Sequence, residues 1–196
     1  MNKHLAEHIT KEDIQTLPLI AFEGDIHIIE TEKECNEAIR KLQQEPAIGF
    51  DTETKPTFRK GEYNPTALIQ LATETDAYLF RLNALGYPKS LVQLMESSDT
   101  LKLGISILDD LRDLKKECRF TPTSFLDLNK VAKEIGIKHI GVKKLAAICL
   151  EYRISKNQQT SNWENETLTE PQKKYAATDA WICLAIYHEL QRTGYV

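Results

Sequence analysis

Three apolar runs, 47–53, 67–72 and 77–82, set the frame for any fold this chain can adopt. They read as strands, and polar turns lie between them, which implies an antiparallel meander. Ile26-His27-Ile28-Ile29 precedes them as a further strand. After it, Thr31 is a good N-cap for a helix striped by Cys35, Ala38, Ile39 and Leu42. Beyond the meander the periodicity changes. Leu91, Leu94 and Met95 mark a helix. Over 100–106, Leu101, Leu103 and Ile105 alternate with Lys102, Gly104 and Ser106, the pattern of a half-buried strand. A helix then carries Ile107, Leu111, Leu114 and Cys118, followed by a short strand near 124–126 and helices near 128–135 and 142–151. A long last helix runs from near Pro171 to Arg192, with Thr169 and Gln172 as its capping box and Gly194 at its end. Strands first and strands mixed with helices later give an α/β chain, a mixed central sheet flanked by helices.

Composition narrows the function classes. The chain has 196 residues, 41% hydrophobic and 28% charged, which suits one globular domain. Residues 1–25 read as an N-terminal extension, with Thr10 opening a short helix, and 26–196 as the domain. A net charge of −4 excludes an overall basic coat but leaves room for a local basic groove. Cys35, Cys118, Cys149 and Cys183 are widely spaced with no Cys-x-x-Cys pair, so they read as reduced thiols, not a zinc site or a disulfide frame. No apolar segment opens the chain, and the longest apolar run, Trp181 to Tyr187, is far short of a membrane span. A cytoplasmic protein without a membrane partner is the expectation.

Several acidic residues sit where packing alone does not want them. Asp51 and Glu53 are two apart at the end of an apolar strand, so both carboxylates leave the same face. Two like charges in a poorly solvated place repel, and a divalent cation relieves that cost. Read alone, Asp-x-Glu is equally a frayed strand end. Asp179 belongs to the stripe Tyr175, Asp179, Ile182, Cys183, Ile186, Leu190, the face that must meet the sheet, and Tyr175 lies one turn before it. Asp109 groups with Arg112, Asp113 and Lys116 on a solvated face, whereas Asp110 groups with Ile107, Leu111 and Leu114. Asp110 is equally read as a carboxylate near a helix N-terminus.

Taken in chain order these residues spell Asp-x-Glu, then Asp, then Tyr-x-x-x-Asp. The chain thereby resembles the DEDD 3′–5′ exonucleases of ribonuclease H-like fold, in the tyrosine-containing branch that includes ribonuclease D and the exonuclease domain of the Werner syndrome helicase. The segments carrying the likeness are Ile48-Gly49-Phe50-Asp51-Thr52-Glu53 with Ala67-Leu68-Ile69-Gln70-Leu71-Ala72, Gly104 to Leu111, Ser161-Asn162-Trp163, and Leu168 to Ala180. Ser106 departs from the Asn that proofreading domains often carry at that place.

The resemblance implies a metal-dependent exonuclease. Asp51, Glu53 and Asp179 would hold one Mg²⁺ or Mn²⁺ ion, and Asp51 would bridge to a second ion supported by Asp110. Hard oxygen ligands suit both ions, and such pairs sit about 3.5–4 Å apart. Tyr175 would orient the attacking water, with Glu53 accepting a hydrogen bond from it. The partner would be a nucleic acid, DNA or RNA, with a single-stranded or recessed 3′ end, and the product a nucleoside 5′-monophosphate. Beside the acidic pair, the loop 55–63 offers Lys55, Arg59 and Lys60 to phosphates and Phe58 to a base, and Lys143 and Lys144 do the same from a helix start; read alone, these are equally ordinary solvated surface residues. A binding module without turnover and a ribonuclease H-like endonuclease are the competing expectations.

Overall fold

The computed structural model describes residues 4–57, 61 and 63–196. Its centre is a six-stranded mixed sheet in the order β1-β4-β3-β2-β5-β6. The strands are β1 (Asp25–Ile29), β2 (Ala47–Thr54), β3 (Thr66–Ala72), β4 (Asp76–Arg81), β5 (Leu101–Gly104) and β6 (Phe125–Asp127). The meander expected from 47–82 is there: β2 and β3 pair antiparallel, as do β3 and β4. β1 joins β4, β5 joins β2 and β6 joins β5, all parallel.

Helices cover both faces. α1 (Lys11–Thr16) is capped by Thr10, as the sequence implied. α2 (Glu32–Leu42) starts in a capping box of Thr31 and Glu34, so two of its free N-terminal amides are satisfied, and it buries Cys35, Ala38, Ile39 and Leu42. With α3 (Leu82–Leu85), α4 (Lys89–Glu96) and α5 (Ile107–Glu117) it packs on Ile48, Phe50, Ile69, Leu71 and Phe80. α6 (Leu128–Glu134), α7 (Val142–Leu145) and α8 (Glu170–Arg192) build the core of the opposite layer. α8 is capped by Thr169 and Gln172 and buries Tyr175, Asp179, Ile182, Cys183, Ile186 and Leu190, the whole stripe read from its spacing. Residues 26–29, 66–72, 76–81, 107–117 and 170–192 thus match their sequence-based bounds within a residue or two.

Two local expectations are corrected. The helix expected over 142–151 is α-helical only to Leu145 and continues as a π-helical turn, Ala146–Leu150, closed by Glu151 in the left-handed conformation. The strand over 100–106 is not half-buried. β5 lies inside the sheet, between β2 and β6, and Lys102 is fully buried. Its ammonium donates to the Ser97 carbonyl at 2.7 Å and lies 5.1 Å from the Phe125 ring centre. Burial pushes its pKa down to about 8. A lysine can fill an apolar slot when its stem packs and its tip finds an acceptor.

The segment before β1 packs onto the rest of the chain. Leu5 and Phe22 are buried, the Phe22 amide donates to Thr178 Oγ1 at 3.0 Å, and Leu19 bridges to Arg153. Among the described residues no disulfide joins Cys35, Cys118, Cys149 or Cys183. Among the described residues no helix is long and apolar enough to cross a membrane.

Candidate active site

The site is assembled where α8 lies directly on β2. Gly49 makes that approach possible: a Cβ there would stand 1.9 Å from the Ala180 carbonyl oxygen. One side chain at this position would force helix and strand apart, and with them Asp179 and Asp51. Asp51 and Glu53 leave β2 two residues further along, on the face α8 covers. Asp51, Glu53 and Asp179 each offer a carboxylate oxygen, and these oxygens all lie within 4.8 Å of one another. They floor a cleft of about 360 Å³ that Asp110, Lys156, Gln159 and Tyr175 also line.

Asp110 stands on the far side of β2. The Thr52 hydroxyl, which points to the opposite face from its neighbours Asp51 and Glu53, donates to Asp110 Oδ1. Asp110 reaches this place from the first turn of α5, entered through Ser106 at φ 64°. That left-handed conformation is one that Asn tolerates readily. Ser106 is held instead by neighbours: its amide donates to Asp127 Oδ1 at 3.1 Å, and its hydroxyl accepts from Asn129 Nδ2 at 2.8 Å. Asp109 is solvated, pairing with Arg112 at 2.9 Å.

Tyr175 sits one turn before Asp179 and is buried in a cluster with Trp163, Leu168 and Leu68. Trp163 packs at 5.9 Å between ring centres, the packing residue its surroundings make it. Burial, then the carboxylates of Asp179 and Glu53, hold the Tyr175 phenol above the usual range. The hydroxyl therefore keeps its proton at neutral pH.

Burial and mutual repulsion also move the acids. Burial first, then Asp179 and Asp110, raises Asp51 well above the usual carboxylate value. Burial and Asp51 push Glu53 up to about 9. Asp110 and Asp179 are raised chiefly by burial. Each acid thus holds its proton more tightly folded than unfolded, where carboxylates titrate near 4. The stability this contributes is full below pH 4 and is lost as pH rises toward 9. In chelator, the melting temperature should fall steadily between pH 5 and 9, and saturating divalent metal should flatten that slope. A flat profile in chelator would mean that the carboxylates are not held together.

A divalent cation fits these residues. The donors are all carboxylate oxygens, and Asp179 Oδ1 is buried with no hydrogen-bond partner, an acceptor left open beside two more carboxylates.

The structure brings Asp51, Glu53, Asp110, Tyr175 and Asp179 to one cleft. The basic residues are more scattered. Lys55 is paired with Glu164 at 3.2 Å. Lys143 is exposed on α7, whose preceding Gly141 lines the cleft, and its charge lowers the Asp179 pKa; Lys144 follows it. Phe58, Arg59 and Lys60 lie outside the described residues. Lys156 is a site residue the sequence did not reveal. Its ammonium donates to Asp179 Oδ2 at 2.6 Å and to the Tyr175 hydroxyl at 3.1 Å. It comes from an irregular segment with no periodicity to betray it. Gln70, cross-strand from Asp51, is also buried there with neither amide atom paired.

The mouse (Mus musculus) bifunctional 3′-5′ exonuclease/ATP-dependent helicase WRN is 31% identical over 195 residues, covering 91% of this chain and 13% of that protein. Ribonuclease D of Haemophilus influenzae is 31% identical over 160 residues, covering 81% of this chain and 38% of the enzyme. The chain therefore spans less than half of either relative. The crystal structure of the Aedes aegypti Nibbler EXO domain superposes with a TM-score of 0.81 at 25% identity, covering 89% of this chain and 92% of that domain. A family model described as 3′-5′ exonuclease matches residues 26–194. With that match running from β1 past the end of α8, and with the fold shared, the chain belongs to the 3′-5′ exonuclease family of ribonuclease D and WRN.

Proposed function

We propose that this chain is a divalent-metal-dependent 3′–5′ exonuclease that releases nucleoside 5′-monophosphates from nucleic-acid 3′ ends. The observation that carries the reading is the carboxylate cluster, three acids within 4.8 Å with one oxygen of Asp179 unpartnered, in a chain of this family.

Asp51, Glu53 and Asp179 would hold one ion, and Asp51 with Asp110 would serve a second. Bound there, Mg²⁺ or Mn²⁺ supplies a more acidic water and positive charge for the attacking and leaving oxygens. Tyr175, protonated throughout, positions the attacking water instead of deprotonating it. Glu53 accepts a hydrogen bond from that water and fixes its direction. Thr52 keeps the Asp110 carboxylate aimed at the cleft. Lys143 and Lys144 meet backbone phosphates at its rim, and Lys55 does so on the side where Glu164 now holds it. Arg59 and Lys60 would add to the phosphate contact, and Phe58 would stack on a base. With these few basic groups, the grip on DNA or RNA is salt-sensitive.

The test is digestion of 5′-labelled linear strands, recessed duplexes and a closed circle, with Mg²⁺, Mn²⁺ or chelator. Ladders that shorten from the 3′ end, an intact circle and no products in chelator are expected. Circle cleavage would identify an endonuclease, and binding without products a module that has lost turnover.

A further inference from the structure

Lys156 stands in the cluster as a cation among carboxylates. Its ammonium reaches Asp179 Oδ2 at 2.6 Å and the Tyr175 hydroxyl at 3.1 Å, and lies 4.9 Å from the Tyr175 ring centre. Its charge favours the ionised forms of Asp51, Glu53 and Asp179 alike. It also lines the cleft from which any ion must enter. Asp179 is therefore divided: one oxygen is taken by the ammonium, and the other is buried without a partner.

We propose that Lys156 is a built-in competitor of the metal, a resident cation that must leave Asp179 before the site loads fully. The inference rests on the exonuclease reading and names a residue that sets metal affinity in that site. Two further observations support it. An ammonium and a divalent ion on one carboxylate repel strongly at such distances in a partly buried place. The segment that carries Lys156 is anchored at its ends, by buried Ile154 before it and by the Gln172 Nε2 bond to the Asn162 carbonyl after it, and is lightly tied between them. Among the described residues the hydrogen bonds of 157–161 stay within the segment and its two flanking residues, Ser155 and Lys156. Behind it lies a second cavity of about 260 Å³, lined by Leu19, Ser155, Asn157, Gln158 and Lys174. Among the described residues the Lys156 ammonium is thus the polar tie between 156–161 and α8, the next being the Gln172 bond to the Asn162 carbonyl, and moving it disturbs no other described hydrogen bond of 157–161. A lysine on a four-carbon stem exchanges partners readily, where a guanidinium would hold both carboxylate oxygens.

The experiment is calorimetric titration of the chelator-stripped protein with Mn²⁺ in the absence of nucleic acid, on the parent, Lys156→Met and Lys156→Gln. Met keeps the apolar stem, and Gln keeps donors for Asp179 and Tyr175 without the charge. Circular dichroism establishes that each variant folds, and Gln carries the test if Met does not fold. Both variants should bind Mn²⁺ about tenfold or more tightly than the parent, and both should melt lower than the parent in chelator, where the carboxylates have lost their cation. Equal or weaker Mn²⁺ binding in the folded variants would overturn the proposal and leave Lys156 as a support for Asp179. A parent that binds no metal and degrades strands in chelator would instead overturn the metal-dependent reading of the site on which this inference rests.

Discussion

Asp51→Asn should lower turnover by about 10³-fold or more while the purified protein becomes more stable without metal. Burial first, then Asp179 and Asp110, raise the Asp51 pKa. Asparagine keeps its shape but carries no charge, so it would weaken the hold on both ions of the proposed pair. Loss of one preorganised electrostatic group costs about 10²–10³-fold in comparable sites, and here the group would serve two ions. The stability change has the opposite sign. At pH 8 and above, removing one of the crowded negative charges relieves repulsion that a shift of one pKa unit prices at about 1.4 kcal/mol. The two measurements are the single-turnover rate in saturating Mn²⁺ and the melting temperature in chelator. A variant that cuts at the parental rate would remove Asp51 from the metal site. A melting temperature that drops would mean that the ionised carboxylate supports the fold.

The parts of this site legible in the sequence are those whose geometry is local. Asp51 and Glu53 must share a face because strand side chains alternate, and Tyr175 must stand one turn before Asp179 because helical residues four apart align. Both statements hold in the structure, and so does the separation of Asp109 from Asp110. Periodicity also places β2 to β4 and the long helix α8, since each has enough repeats to average out single exceptions. What spacing could not supply is long-range. That β5 is an interior strand depends on β6 pairing outside it, so Lys102 reads as exposed when the sheet in fact encloses it. That Lys156 enters the cluster depends on where an irregular segment crosses α8, twenty-three residues before Asp179 in sequence and 2.6 Å from it in space. Gly49 is plain in the sequence, yet its reason, the Ala180 carbonyl against its Cα, exists only once helix and sheet have met. The π-helical turn after α7 is equally a tertiary outcome, in a stretch whose composition suits an ordinary helix.

Tyr175→Phe should lower the chemical step by about 10²–10³-fold and leave metal and strand affinity within about threefold of the parent. The phenol is placed to act through its proton. Lys156 has only donors to offer, so the Tyr175 oxygen accepts from it at 3.1 Å, and the phenol's own hydrogen is left for the Asp179 carboxylate and whatever that carboxylate holds. Burial and the neighbouring carboxylates keep that hydrogen in place at any working pH, which excludes the phenolate as a base. One turn from Asp179, the hydroxyl can reach only what the cluster holds there, and a water about to attack is the group that needs such a donor. Phenylalanine preserves the ring against Trp163 and Leu68, so folding should be unaffected. A positioning role makes kcat fall while KM stays. A packing role would show as a lower melting temperature with turnover intact. Single-turnover rates on a short strand in saturating Mn²⁺, taken beside Mn²⁺ titrations of the same protein, separate the two. A Phe variant that cuts as fast as the parent would take the hydroxyl out of the mechanism and leave water positioning to Glu53 alone.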